Sequence, residues 1–154
     1  MTQTIERRLA ELGVTLPKAA APAANYVPYV QTGNQLFISG QLPMGPDGLA
    51  HKGKIGEDAS LEDGVAAAKL CAINILAQAK VATGDLEKVA RLVKIVGFVN
   101  STSDFTDQPK VINGASDFLG EAMGEKGKHA RSAVSAASLP FGATVEIEAI
   151  FELA

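Results

Sequence analysis

Apolar and polar residues recur along this chain with two periods, and the switches between them mark out the elements. Ile5, Leu9 and Leu12 fall at helical spacing before Gly13, which predicts a short amphipathic helix over residues 5–12. Lys18 to Asn25 is rich in Ala and Pro and reads as an extended connector. Tyr26–Gln31 and Leu36–Gly40 read as two strands of a hairpin separated by Thr32-Gly33-Asn34-Gln35. From Pro43 to Asp58 the chain is dense in Gly, Pro, Asp and Lys, with Pro46-Asp47-Gly48 a turn by its chemistry, and predicts a long surface loop.

The second half carries stronger signals. Ser60 with Asp63 three residues on is an N-cap, and Leu61, Val65, Ala68, Ala72, Ile75 and Ala79 form a stripe at spacings of three and four until Gly84. Val89–Asn100 contains a nearly unbroken β-branched and aromatic run, which predicts a central strand covered on both faces. A helix begins near Asp107 or Gln108 with Pro109 in its first turn, burying Val111, Ala115, Phe118 and Ala122 before Gly124. Strands at Arg131–Ser138 and Thr144–Leu153 close the chain. The order β-β-α-β-α-β-β after a leading helix predicts an α+β domain, with helices on one face of a mixed sheet. Residues 1–20 are expected to be a helical extension and residues 21–154 a single domain.

Composition narrows the function more than the fold. The 154 residues are 47% hydrophobic and 20% charged, with net charge −3 and a pI near 5.4. This is ordinary globular composition without the basic face of a polyphosphate binder, so nucleic acid is disfavoured as a partner. Cys71 is the single cysteine and no Cys/His spacing resembles a zinc site. The first apolar-periodic stretch carries Glu6, Arg7, Arg8 and Glu11, no signal-peptide core is visible, and no apolar run is expected to span a membrane. A soluble, cytoplasmic protein is the expectation. Cys71, on the apolar side of the long helix, reads as a small core filler.

Candidate chemistry concentrates at the end of the chain. Arg131 opens an apolar stretch, and the last strand alternates Val145, Ile147, Ala149, Phe151 and Leu153 with Glu146, Glu148, Ile150 and Glu152. A half-buried guanidinium needs a partner, so Arg131 is either a structural ion pair or a seat for an anionic ligand. The carboxylate face of the last strand either meets solvent or lines a cleft. His51 and His129 read as loop or rim residues, with His129, Lys126, Lys128 and Arg131 making a local positive rim. Gly124-Glu125-Lys126-Gly127-Lys128 lacks the glycine spacing and following Ser/Thr of a phosphate loop.

Four stretches in order give the chain a family resemblance: Tyr26-Val27; Ile38-Ser39-Gly40-Gln41-Leu42-Pro43; Phe98-Val99 followed by Asp104-Phe105 and Asn113; and Arg131…Leu139-Pro140…Glu146-Ile147-Glu148-Ala149. Together, over about residues 25–151, the chain resembles the RidA (YjgF) family, long described as endoribonuclease L-PSP. The resemblance implies a chorismate mutase-like fold, a homotrimer with inter-subunit clefts, and hydrolysis of 2-imino or 2-enamino acids to 2-oxo acids and ammonia, with no cofactor or metal. It implies that Arg131 clamps the substrate carboxylate and that Glu146 holds or deprotonates water. Tyr26, Ser39, Gly40 and Asn113 would line the same cleft, with Tyr29 near enough to replace Tyr26. Read without the resemblance, Ser39-Gly40-Gln41 is a strand end entering a turn, Tyr26 is packing, and Asn113 is an exposed helix residue. Ala133 stands where many deaminating relatives carry cysteine. The alternatives are a non-catalytic protein binding a small carboxylate, such as a 2-oxo acid, and the ribonuclease of the older description.

Overall fold

The computed structural model describes residues 3–22 and 24–154. Ala23, in the expected connector, and the first two residues of the expected extension lie outside them. The elements are α1 (Ile5–Glu11), β1 (Tyr29–Thr32), β2 (Gln35–Gln41), β3 (Met44–Gly45), β4 (Gly48–Leu49), α2 (Leu61–Thr83), β5 (Val89–Asn100), α3 (Gln108–Met123), β6 (Ala130–Ala136) and β7 (Val145–Leu153). Five strands form one sheet in the order β1-β2-β7-β5-β6. Only β5 and β6 run parallel, joined by the α3 crossover. The other neighbours are antiparallel. A mixed α/β domain with helices over one face of the sheet is what the periodicities predict.

The helices cover the face carrying Leu36, Ile38, Leu92, Ile95, Val145, Ile147 and Phe151, all of them buried. α2 starts at a reciprocal capping box between Ser60 and Asp63 and stops at Gly84 in the left-handed region. By length and composition α2 is apolar enough to cross a membrane, contrary to the sequence expectation. It is instead the core helix, with Ala68, Cys71, Ala72, Ile75 and Leu76 fully buried. The Cys71 thiol lies near the Val145 carbonyl at 3.7 Å, and burial pushes its pKa well up. α3 approaches α2 so closely at Gly114 that a methyl there would collide with the Val65 carbonyl.

Three further sequence expectations change. β1 begins at Tyr29, leaving Tyr26 and Val27 outside the ladder, because Pro28 has no N–H to donate. β5 is covered by helices on one face only; Val96 and Phe98 point to the other and are half-buried. The segment 43–58 is tied to the domain rather than looped out. It holds the β3–β4 hairpin, buries Ile55, and makes bridges from Lys52 to Ala143 and from Ile55 to Ser101. Lys54 Nζ donates to Asn100 Oδ1 at 2.9 Å and to the Ala137 carbonyl at 2.6 Å.

The leading helix belongs to the same core. Ile5 and Leu9 are each 2% exposed and sit in the main hydrophobic cluster. The Ile5 amide donates to Glu87 Oε2 at 2.8 Å, and Lys80 pairs with Glu6 at 2.7 Å. Leu9→Ala should therefore cost about 2–5 kcal/mol, measured by urea unfolding. A loose appendage would give a change near zero.

Candidate functional site

Two groups of side chains form on opposite faces of the sheet. The first centres on a bulge in β2. Ile38 pairs with Ala149 and Gln41 with Ile147, so three steps on β2 oppose two on β7, and Ser39-Gly40 is the bulged segment. Ser39 staples the irregular chain before β1 to this bulge: its amide donates to the Pro28 carbonyl at 2.9 Å and its hydroxyl to the Val27 carbonyl at 2.8 Å. Tyr26 is held beside it.

Glu146 projects from β7 onto the open face, opposite Phe98 of β5. Its carboxylate rests against the Cα of Gly40, where any Cβ would overlap Oε2. Glycine is therefore required by contact with the acid. Burial raises the pKa of Glu146 above the ordinary carboxylate range, and the Glu148 charge raises it further. A carboxylate made more basic by its surroundings is suited to taking a proton from water near neutral pH.

Gly40 also lines a cavity of about 90 Å³, with Tyr26, Gln41 and Phe141 among its other walls. Phe141 is missed by sequence reasoning. It is 68% exposed and sits at φ 59°, ψ 14°, the one non-glycine with positive φ among the described residues. For a bulky side chain that conformation costs on the order of 1–3 kcal/mol. The Pro-Phe-Gly order gives a partial signal, since a turn with two positive-φ positions usually places Gly or Asn at both.

The second group lies where β6 meets α3. Arg131 stands beside Ile95 on β5 and reaches the helix-covered side. Its NH1 donates to Ser116 Oγ and its NH2 to the Pro109 carbonyl, both at 3.1 Å. Among the described residues, no carboxylate lies within ion-pair distance of it. The guanidinium is aimed by neutral acceptors and keeps its charge uncompensated. Asn113, exposed, shares the face of α3 with Pro109 and Ser116 by spacings of four and three, so it lies between the two points that Arg131 grips.

Ser116 and His129 are further residues that the sequence did not single out as partners of Arg131. The Gly127 carbonyl, an acceptor only, accepts a hydrogen bond from His129 Nδ1 at 2.6 Å. His129 Nε2 lies 2.9 Å from Ser116 Oγ, so serine and histidine together hold the oxygen that receives Arg131.

One protomer does not bring these two groups together. Arg131 pairs beside Ile95, while Glu146 pairs beside Phe98 three residues further along the same strand. An odd spacing in a strand puts them on opposite faces. Tyr26, Ser39, Gly40 and Glu146 make one group, and Arg131 with Asn113 makes the other. Tyr29 is half-buried and packs against the core, so Tyr26 is the tyrosine at the cavity.

The open face between them is partly apolar. Val30, Phe37 and Val134 are 52%, 39% and 45% exposed. Phe98 and Ile150 share their side of the sheet. Such a surface is what a second chain covers in an oligomer.

Comparison with known proteins gives a consistent set of likenesses. The sequence profile of the family described as "YjgF/chorismate_mutase-like, putative endoribonuclease" matches residues 6–153. Protein TCP17 of Trypanosoma cruzi is 49% identical over 150 residues, covering 97% of this chain and 94% of TCP17. The crystal structure of Atu1372 from Agrobacterium tumefaciens, described as of unknown function, superposes with a TM-score of 0.91 at 52% identity, over 97% of this chain and 92% of that one. RidA from an Antarctic Psychrobacter is 29% identical, with a TM-score of 0.62 over 88% and 94% of the two chains.

Proposed function

Because this chain belongs to the YjgF/chorismate mutase-like family, we propose that it hydrolyses small 2-imino and 2-enamino acids to 2-oxo acids and ammonia. The reaction takes place in clefts between protomers of a homotrimer. The observation that carries this reading is the Arg131 guanidinium, oriented by Ser116 and Pro109 yet with no carboxylate partner among the described residues. Each cleft joins Arg131 and Asn113 of one protomer to Tyr26, Ser39, Gly40 and Glu146 of the next. That pairing uses the two half-sites a single chain keeps apart. The apolar open face supplies a surface for the assembly, and the number three follows from the family resemblance.

The chemistry suits these groups. Arg131 holds the substrate carboxylate through two parallel N–H···O bonds, fixing the plane of the imine as a lysine point charge would not. Glu146 takes a proton from water as the water oxygen bonds to the imine carbon and the C=N π pair moves to nitrogen. The amino alcohol so formed receives the proton back from Glu146 on nitrogen. The C–N bond then breaks, the oxygen lone pair forms C=O, and the hydroxyl proton leaves with ammonia. The sum is protonated imine plus water giving 2-oxo acid plus ammonium. Asn113 or Ser39 orients substrate or water.

A ribonuclease is disfavoured, since Glu146, Glu148 and Glu152 on the open face would repel phosphate. Ala133, in place of the cysteine found in many deaminating relatives, leaves carboxylate binding without turnover as the second reading. Purified protein should accelerate the decay of 2-aminoacrylate generated by a dehydratase, and it should sediment as a trimer at micromolar concentration. Saturable binding of 2-oxo acids with no acceleration of any imine would replace the hydrolase by the binder.

A further inference from the structure

The positive rim expected from Lys126, Lys128, His129 and Arg131 resolves into two kinds of cation. Lys126 pairs with Glu87 at 3.9 Å and Lys128 with Glu125 at 3.0 Å. Arg131 has no such carboxylate among the described residues, and its acceptors are the neutral Ser116 and Pro109 on α3. A long side chain held by neutral groups keeps its charge for a ligand, but only those hydrogen bonds offset the rotamer freedom it gives up. Whatever fixes the acceptors therefore decides how well the guanidinium is aimed.

The Pro109 carbonyl is fixed as part of the α3 main chain. Ser116 offers a hydroxyl instead, which rotates unless its proton is engaged. Its orientation follows from the two ends of the chain of contacts. Arginine only donates, so Ser116 Oγ accepts from NH1 at 3.1 Å. The Gly127 carbonyl only accepts, so the proton between it and His129 stays on Nδ1. Nε2, 2.9 Å from Ser116 Oγ, is left to accept the hydroxyl proton. A proton on Nε2 would instead place two donors on Ser116 Oγ and turn the hydroxyl proton away from both. The last link is rigid. Gly127 ends the turn Gly124–Gly127, is buried, and packs so closely on α3 that a methyl there would collide with the Leu119 carbonyl. The glycine-rich stretch that lacks phosphate-loop spacing thus presents a carbonyl to His129 at a set point.

We propose that Ser116 and His129 are positioning residues. A one-way hydrogen-bond chain from Arg131 through Ser116 and His129 to the Gly127 carbonyl holds the guanidinium fork in the attitude a carboxylate meets. The inference rests on the reading of Arg131 as a carboxylate clamp and names the residues that aim it. Neither Ser116 nor His129 touches the ligand; both act through the arginine.

The test titrates isotope-labelled protein with pyruvate by NMR, which reads millimolar affinities and needs no turnover. Ser116→Ala and His129→Leu should each weaken binding about three- to tenfold, the worth of one hydrogen bond, with unchanged thermal melts. His129→Gln, whose amide oxygen can accept from Ser116 as Nε2 does, should stay within about twofold of wild type. The Ser116→Ala/His129→Leu double variant should be no weaker than the worse single one, because both cut the same chain. In an Arg131→Ala background neither substitution should alter the residual affinity. Nitrogen-15 histidine spectra, with His129 assigned by its loss in His129→Gln, should show Nδ1 protonated and Nε2 bare. Wild-type affinity in Ser116→Ala, additive losses, losses that persist without Arg131, or a protonated Nε2 would each overturn the chain. Wild-type protein that binds no pyruvate removes the clamp and the chain with it. The expected pattern of affinities with no imine hydrolysed keeps the chain and removes the hydrolase, whereas wild-type imine hydrolysis and pyruvate binding by Ser116→Ala keep the hydrolase and remove the chain.

Discussion

Arg131→Ala lowers kcat/KM for 2-aminoacrylate hydrolysis by about 100-fold or more and leaves the fold intact. Two charge-assisted hydrogen bonds to a carboxylate are worth about 1.5–3 kcal/mol each, and about 1.4 kcal/mol is a factor of ten. The loss falls on binding and orientation together, so both KM and kcat deteriorate. Arg131→Lys restores charge without the planar fork and recovers only part of the activity. Stability changes by less than about 1 kcal/mol, because the residue is half-exposed and its partners, Ser116 Oγ and the Pro109 carbonyl, are neutral and near solvent. Stopped-flow kinetics with a denaturation curve on each variant reads both quantities. An Arg131→Ala protein of wild-type activity removes the carboxylate clamp.

Glu146→Gln separates activity from stability in opposite directions. It lowers kcat by about 10²–10⁴, the usual contribution of a positioned acid–base group. The same change stabilises the protein at neutral pH. Burial and the Glu148 charge raise the folded pKa above the ordinary 4.5, so the folded state holds its proton more tightly than the unfolded one. At pH 4 and below, both states are mostly protonated and the side chain adds no penalty. As pH rises past 4.5 the unfolded chain releases its proton first, and the folded state bears an increasing penalty until pH passes the raised folded value. The Tm difference in favour of Glu146→Gln should therefore be small at pH 4 and largest at pH 7–8. In the wild type, kcat should rise with pH along a limb displaced upward from the ordinary carboxylate range. A melting difference independent of pH would mean that the carboxylate is not held in a raised state.

The parts of the fold legible in the sequence were those written in local patterns. The Ser60/Asp63 cap, the Gly84 stop, the β5 run and the Pro109 start of α3 each lie within one element. What the sequence hid depends on contacts between distant segments. Nothing near Ile5 indicates that its amide meets Glu87, 82 positions away. The turn-rich composition of 43–58 is genuine, but its docking on the 142–144 segment is a tertiary fact.

The site divides in the same way. The resemblance named Arg131, Glu146, Tyr26, Ser39, Gly40 and Asn113, and the geometry gathers them into two groups. That Arg131 and Glu146 face opposite sides follows from strand register, which residue type does not encode. Ser39-Gly40 reads as a strand end because a bulge leaves little trace beyond a glycine. Phe141 escaped notice because its importance lies in a backbone angle, and Ser116 because an exposed helix serine is common.

Gln78 and Asn74 sit one turn apart on α2, and each grips a different rim of the cavity through main-chain carbonyls. Carbonyl recognition is indifferent to the side chains it carries. The amino acids at positions 20–22, 42 and 44 can consequently be exchanged without loosening the walls, while Arg131 and Glu146 keep their places. Substitution there redecorates a fixed frame.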